Sequence, residues 1–297
     1  MDESRVAPDR PTVFVLSGGG NQAVSQVGML RALFERGIVP DVVIGTSAGA
    51  LNGAVVAHRP TMDAVDHLEG VWQSIQGKEI FPGNRVTRAW NVLRRGTSLM
   101  PSDGLAQLID TVSTARTFAD LAVPLRVVTC DLTSGSEVVF CRGPLAPPLL
   151  ASAALPGVFP PVPYAGRLLV DGGVVNSVPI SHAAAGKPAR IFVCNVSGGG
   201  RPMHRAPRSP LDVVMRSFSI ARNQRFQLEL AHLRHTAEVT ILPRPTDDRD
   251  LLDFSDAHRL IDEAYRMATG VLEHRQPVET MQRPHRRRVP WRRRTAA

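Results

Sequence analysis

No stretch of the 297-residue chain approaches the roughly 18 consecutive apolar residues that a membrane-spanning helix needs, so none is expected. The first eleven residues, Met1 to Pro11, are polar and lack the apolar core of a secretory signal, and a cytoplasmic protein is the expectation. Cysteine is scarce. Cys130, Cys141 and Cys194 are odd in number, lie in apolar strand-like runs and show no C-x-x-C spacing, which predicts buried reduced thiols rather than disulfides or zinc ligands. Acidic residues are missing from Arg283 to Arg294, where seven arginines stand, so the net charge of +8 belongs almost entirely to that tail. The remainder carries +1, which argues against nucleic acid as the main partner of the folded part. There is no internal repeat and no domain boundary before residue 275. The expected organisation is a disordered leader over 1–11, one α/β domain over 12–275 and a disordered Arg-rich tail over 276–297.

What is present is a chain with 43% hydrophobic and 21% charged residues, enough for a substantial core. Its organising stretch is Asp41 to Ala57. A short apolar strand, Val42 to Ile44, runs into Gly45-Thr46-Ser47-Ala48-Gly49 and then into the helix-forming run Ala50 to Ala57. A serine on a tight strand-to-helix turn exposes its hydroxyl at the sheet edge, and flanking glycines let backbone pass close by. A structural turn with an incidental serine is the plainer alternative for this pattern taken alone.

Thr12 to Leu16 is a β-branched and aromatic strand ending at Ser17-Gly18-Gly19-Gly20. Val24, Val27, Leu30, Leu33 and Phe34 then recur at helical spacing, closed by Gly37. With Val42 to Ile44 this is a β-α-β unit, whose right-handed crossover places Gly18 to Gly20 and Ser47 on the same sheet edge. Gly18-Gly19-Gly20-Asn21-Gln22-Ala23 also satisfies the dinucleotide fingerprint, which requires an acid at the end of the second strand. Asp41 precedes that strand instead. The loop fits better as an oxyanion hole of unobstructed N–H groups, and no cofactor is expected.

Residues 61–115 read as helical. Within them Phe81 to Pro101 carries Arg85, Arg88, Arg94 and Arg95 without an acid, and Val86, Trp90 and Leu93 share one helical face. That segment is either a surface helix on the core or a contact for anionic membrane, while the Arg283 to Arg294 tail with Trp291 is either such a contact, a disordered tail serving solubility, or a nonspecific nucleic-acid binder. Further strands are read at Leu125 to Leu132, Ser136 to Cys141, Arg167 to Val170, Arg190 to Val196 and Ala237 to Leu242. Helices are read at Leu149 to Leu155, Leu211 to Leu233 and Ser255 to Leu272. The alternation predicts a three-layer, open, mostly parallel sheet flanked by helices. Asp171-Gly172-Gly173 follows a buried strand, as Ser47 does, although Asp-Gly is also a common turn.

Three blocks therefore stand in order: Gly18-Gly19-Gly20, Gly45-Thr46-Ser47-Ala48-Gly49 and Asp171-Gly172-Gly173. With Thr129 to Phe140 and Ala151 to Pro161, this pattern resembles the patatin-like phospholipase family over residues 12–200. The resemblance implies a lipid acyl hydrolase with Ser47 as nucleophile, Asp171 as its base, Gly18, Gly19 and Gly20 as oxyanion-hole loop, and no catalytic metal. The family's loop carries a cation and a glycine where this chain has Gln22 and Ala23. Three other readings stand beside it. One is a conventional triad using His182, His204, His232, His235 or His258, and the second is an acyltransferase. The third is a catalytically silent protein binding membrane or nucleic acid through its tail.

Overall fold

The computed structural model describes residues 11–75, 98–185, 190–197, 206–207, 210–233, 237–246 and 254–274. Residues 1–10 of the expected leader and the Arg283 to Arg294 tail lie outside them, as do Arg85, Arg88, Arg94 and Arg95. The chain builds one sheet from β1 (Thr12–Leu16), β2 (Val42–Thr46), β3 (Leu125–Asp131), β4 (Glu137–Phe140), β5 (Val162–Tyr164), β6 (Arg167–Asp171), β7 (Arg190–Asn195) and β8 (Glu238–Pro243). β1 lies centrally, paired in parallel with β2 and β7, while β3 and β8 extend the parallel part on either side.

The alternation within β1 sorts the two faces. Phe14 and Leu16 belong to one buried cluster, with α1 (Ser25–Phe34), α2 (Ala48–His58), α3 (Met62–Ser74) and α8 (Ala257–Glu273). Val13 and Val15 belong to the other, with α6 (Ile180–Ala184) and α7 (Pro210–Leu233). Side chains of period two on one strand thus feed two helical layers, as a sheet covered on both faces requires. The helices α4 (Asp103–Val112) and α5 (Ala146–Ser152) complete the first layer. α2 has no polar face and is buried from Ala48 to Ala57, which makes it a core helix rather than a surface one.

One part of the sheet departs from expectation and positions the site. β4, β5 and β6 run antiparallel to their neighbours. Val127 and Val128 pair with both β2 and β4, and Thr129 and Cys130 with both β4 and β6, so β2 and β6 share the same edge of β3. They approach end to end. β2 stops at Thr46 opposite Val128, and β6, running the other way, stops at Asp171 opposite Thr129. Neither β5 nor α6 was evident from periodicity, each being too short to show one.

Other expectations are corrected. Cys130 and Cys194 are buried and free, but Cys141 is exposed, because it lies just past the end of β4. Of the Phe81 to Pro101 segment only 98–101 is described, and it is not helical: Leu99 and Met100 donate their N–H groups to Gly157 O and Val158 O.

Candidate active site

Ser47 links β2 to α2 with φ 57° and ψ −134°, a conformation that costs a non-glycine residue about 1–3 kcal/mol. Its surroundings enforce it. Ser47 N–H donates to Ser152 Oγ at 2.8 Å, and that hydroxyl donates onward to Val128 O at 2.7 Å. A Cβ on Gly49 would stand 2.4 Å from Leu16 O, and one on Gly45 would stand 2.6 Å from Ala50 Cα. Helix and strand therefore meet backbone to backbone, and the turn has no room to relax.

Ser47 Oγ donates to Asp171 Oδ2 at 2.7 Å. The other carboxylate oxygen accepts the Gly173 N–H at 2.6 Å. Asp171 is 4% exposed, and burial pushes its carboxyl above the usual range, offset in part by the hydrogen bonds from Ser47 and Gly173 and by the Arg222 charge. No histidine among the described residues bonds to either group. His182 Nε2 faces Glu137 Oε1 at 2.6 Å, and His258 lies near Glu69 and Asp262 on the far helices. His204 and His235 lie outside the described residues.

The glycine loop lies against Ser47, since a Cβ on Gly18 would be 3.2 Å from Ser47 Cβ. Its three residues do different jobs. Gly18 N–H donates to Ser177 O at 2.8 Å, so this donor is committed to holding the loop and is not open to a ligand, contrary to the reading of all three as anion donors. Gly19 and Gly20 are partly exposed, and their N–H groups meet no acceptor among the described residues. Gly20 takes φ 57°, where a side chain would be strained.

A buried polar chain fixes that loop. Trp72 Nε1 donates to Asn52 Oδ1, and Asn52 Nδ2 donates to Gln26 Oε1 and Ala23 O. Gln26 Nε2 then donates to Ser17 O and Cys194 O. Ser17 Oγ accepts from Val196 N–H at 2.8 Å, tying the loop to the end of β7. Each amide is satisfied, so four separate elements agree on one loop position. Periodicity gave no sign of these residues, because a buried Asn or Gln reads as an interruption of an apolar face. Ser152 stood in a recognisable block, but its hold on the Ser47 amide did not follow from sequence.

Gln22, where the family motif has a cation, is buried, and its Oε1 accepts from Arg244 Nη1 at 2.9 Å. A guanidinium from beyond β8 thus reaches the loop position that lacks one. The contact makes an arginine at position 22 disruptive rather than restorative. Gln22→Arg should lose an acceptor for a charged donor and oppose two cations, costing about 1.5–3 kcal/mol in thermal unfolding and lowering turnover. Adding Arg244→Gln should restore most of both. Equal stability of wild type and Gln22→Arg would show that the contact contributes nothing.

Fold and site together define an α/β protein with a strained serine on a strand-to-helix turn, hydrogen-bonded to a buried carboxylate. The family model described as "Patatin-like phospholipase" matches residues 14–184, and the chain belongs to that family. Among its relatives, patatin-like phospholipase domain-containing protein 7 of Rattus norvegicus is 32% identical over 182 residues, 61% of this chain and 13% of the relative. Protein 6 of the same series from Homo sapiens is 31% identical over the same shares. An NTE-family protein of Mycobacterium bovis is 31% identical over 169 residues, 57% of this chain and 44% of the relative. The chain therefore spans only a small part of the length of the mammalian relatives. Among solved structures, human GIVD cytosolic phospholipase A2 is similar over 92% of this chain and 60% of its own, with TM-score 0.49 and 11% identity.

Proposed function

We propose that this protein is a serine acyl hydrolase that cleaves the carboxylic esters of lipids through a Ser47–Asp171 dyad. The observation that carries the reading is the 2.7 Å hydrogen bond from Ser47 Oγ to a carboxylate buried at the end of β6. Asp171 accepts the hydroxyl proton as Oγ bonds to the ester carbonyl carbon, and the carbonyl oxygen takes up the negative charge. Gly19 and Gly20 N–H, with the start of α2, face that charge. Collapse breaks the ester C–O bond, and the leaving alkoxide takes the proton from Asp171. Water, deprotonated by Asp171, then cleaves the acyl-enzyme, releases the fatty acid and returns the proton to Ser47.

Family membership supports lipid as the substrate class. The three free cysteines fit a reducing compartment such as the cytoplasm. No helix among the described residues is long and apolar enough to cross a membrane. We place the enzyme peripherally at an anionic membrane surface, which Arg85, Arg88, Arg94, Arg95 and the tail would attract.

The test is fatty-acid release from diacyl phospholipid vesicles, with a fluorophosphonate as covalent reporter. Wild type should release fatty acid and gain one adduct, mapped by mass spectrometry to Ser47. Absence of both in the folded protein would overturn the hydrolase reading. The chain cut after residue 280 should keep activity on a soluble short-chain ester yet sediment less with anionic vesicles. Equal sedimentation at low salt would remove the tail from the membrane contact.

A further inference from the structure

Arg222 belongs to none of the motif blocks and lies beyond residues 14–184 that the family model matches. It projects from α7 onto the turn that follows Asp171. Its Nη1 donates to Gly173 O at 3.4 Å and its Nη2 to Ser219 Oγ at 3.1 Å. Gly173 shows how near the guanidinium comes to the carboxylate. A Cβ added there would stand 2.9 Å from Asp171 Oδ1 and 3.0 Å from Arg222 Nη1. Two groups reached from one point at those distances lie within the roughly 6 Å over which an opposite charge favours an ionised carboxylate.

The other ionisable groups around this turn are paired with one another. Glu137 on β4 accepts from Asn176, from Arg225 Nη2 on α7 and faces His182 on α6, and Arg225 also pairs with Glu229. Burial alone would raise the Glu137 carboxyl, yet these partners hold it at about 2. Asp131 on β3 is paired with Arg167 on β6 at 3.2 Å, and the thiol of the neighbouring Cys130 is pushed up by burial. Arg222 makes no ion pair among the described residues and is the cation left facing Asp171.

We infer that Arg222 is a positioning residue for the dyad, its guanidinium holding Asp171 as the ionised proton acceptor inside a buried turn. This rests on Asp171 being the base proposed above. Burial favours the neutral acid, which cannot take the Ser47 proton, and a nearby cation opposes that. The placement is also measured. A direct bidentate pair would occupy the oxygens that Ser47 and Gly173 use and would weaken the base, whereas Arg222 bonds the Gly173 carbonyl and acts across that peptide unit.

The test is the pH profile of kcat/KM for wild type, Arg222→Gln and Arg222→Lys, with infrared difference titration of the Asp171 carboxylate, using Asp171→Asn as the subtraction. In Arg222→Gln the acid limb and the carboxylate titration should both move to higher pH. That means a loss of roughly tenfold or more on the limb, recovered on the plateau. Arg222→Lys should keep the wild-type limb. An unmoved carboxylate titration, an equal loss at every pH, or a Lys variant shifted as far as Gln would overturn the inference. Full activity in Asp171→Asn would instead overturn the base assignment, and is read separately.

Discussion

Ser47→Ala should lower ester hydrolysis by about ten-thousand-fold or more while leaving the melting temperature near that of wild type, and Asp171→Asn should come close to the same loss. In the proposed mechanism the two groups, joined by a 2.7 Å hydrogen bond, act as one proton-transfer unit, so losing either removes most of what the pair contributes. The double variant should accordingly be little worse than either single one. Alanine at position 47 also takes away no buried hydrogen bond except the one to Asp171, since the Ser47 N–H bond to Ser152 Oγ is made by backbone. His182→Ala is the informative control. Its ring faces Glu137, not the dyad, so a hundredfold loss there, the lower range of general-base effects, would point to a histidine-dependent mechanism. Full turnover by Asp171→Asn on a generic ester would exclude the dyad.

The second large effect should be on folding. In Gly49→Ala the new Cβ would stand 2.4 Å from Leu16 O and 2.5 Å from Ser17 O. Both neighbours are backbone, one at the end of a central strand and one at the start of the glycine loop, so neither can swing aside as a side chain would. α2 must move away from β1, and we expect a loss of about 2–3 kcal/mol in chemical unfolding. The same displacement pulls Ser47 and the loop apart, so turnover should fall further than stability explains. A Gly49→Ala protein with wild-type unfolding midpoint and turnover would show that the elbow has slack the structure does not display.

Both predictions rest on features with different legibility. The turn at Ser47 was readable because strand, turn and helix are contiguous there: an apolar β-branched run, two glycines four residues apart and an apolar helix. Asp171 was readable as the end of a buried strand, but not the direction of that strand. β6 and β2 are about 120 residues apart and meet only because β3 offers both of them one edge. Their end-to-end approach brings the carboxylate to the hydroxyl, and pairing between distant segments leaves no local trace in periodicity.

The same distinction runs through the loop and its cations. Three consecutive glycines announce a backbone site, yet which N–H remains open depends on Ser177, delivered by a turn far along the chain. Nothing in local spacing singles out Arg222, on a helix, or Arg244, just after a strand. Only folding carries one to the turn behind Asp171 and the other to Gln22. By itself, then, the amino-acid sequence determined most of the elements, the two-layered covering of the sheet and which serine, aspartate and glycines are the candidates, because these follow from local spacing and side-chain chemistry. The tertiary structure alone decided the antiparallel entry of Asp171, the commitment of Gly18 and the placement of the two cations, because each is a contact between segments whose separation in sequence carries no information about their distance in space.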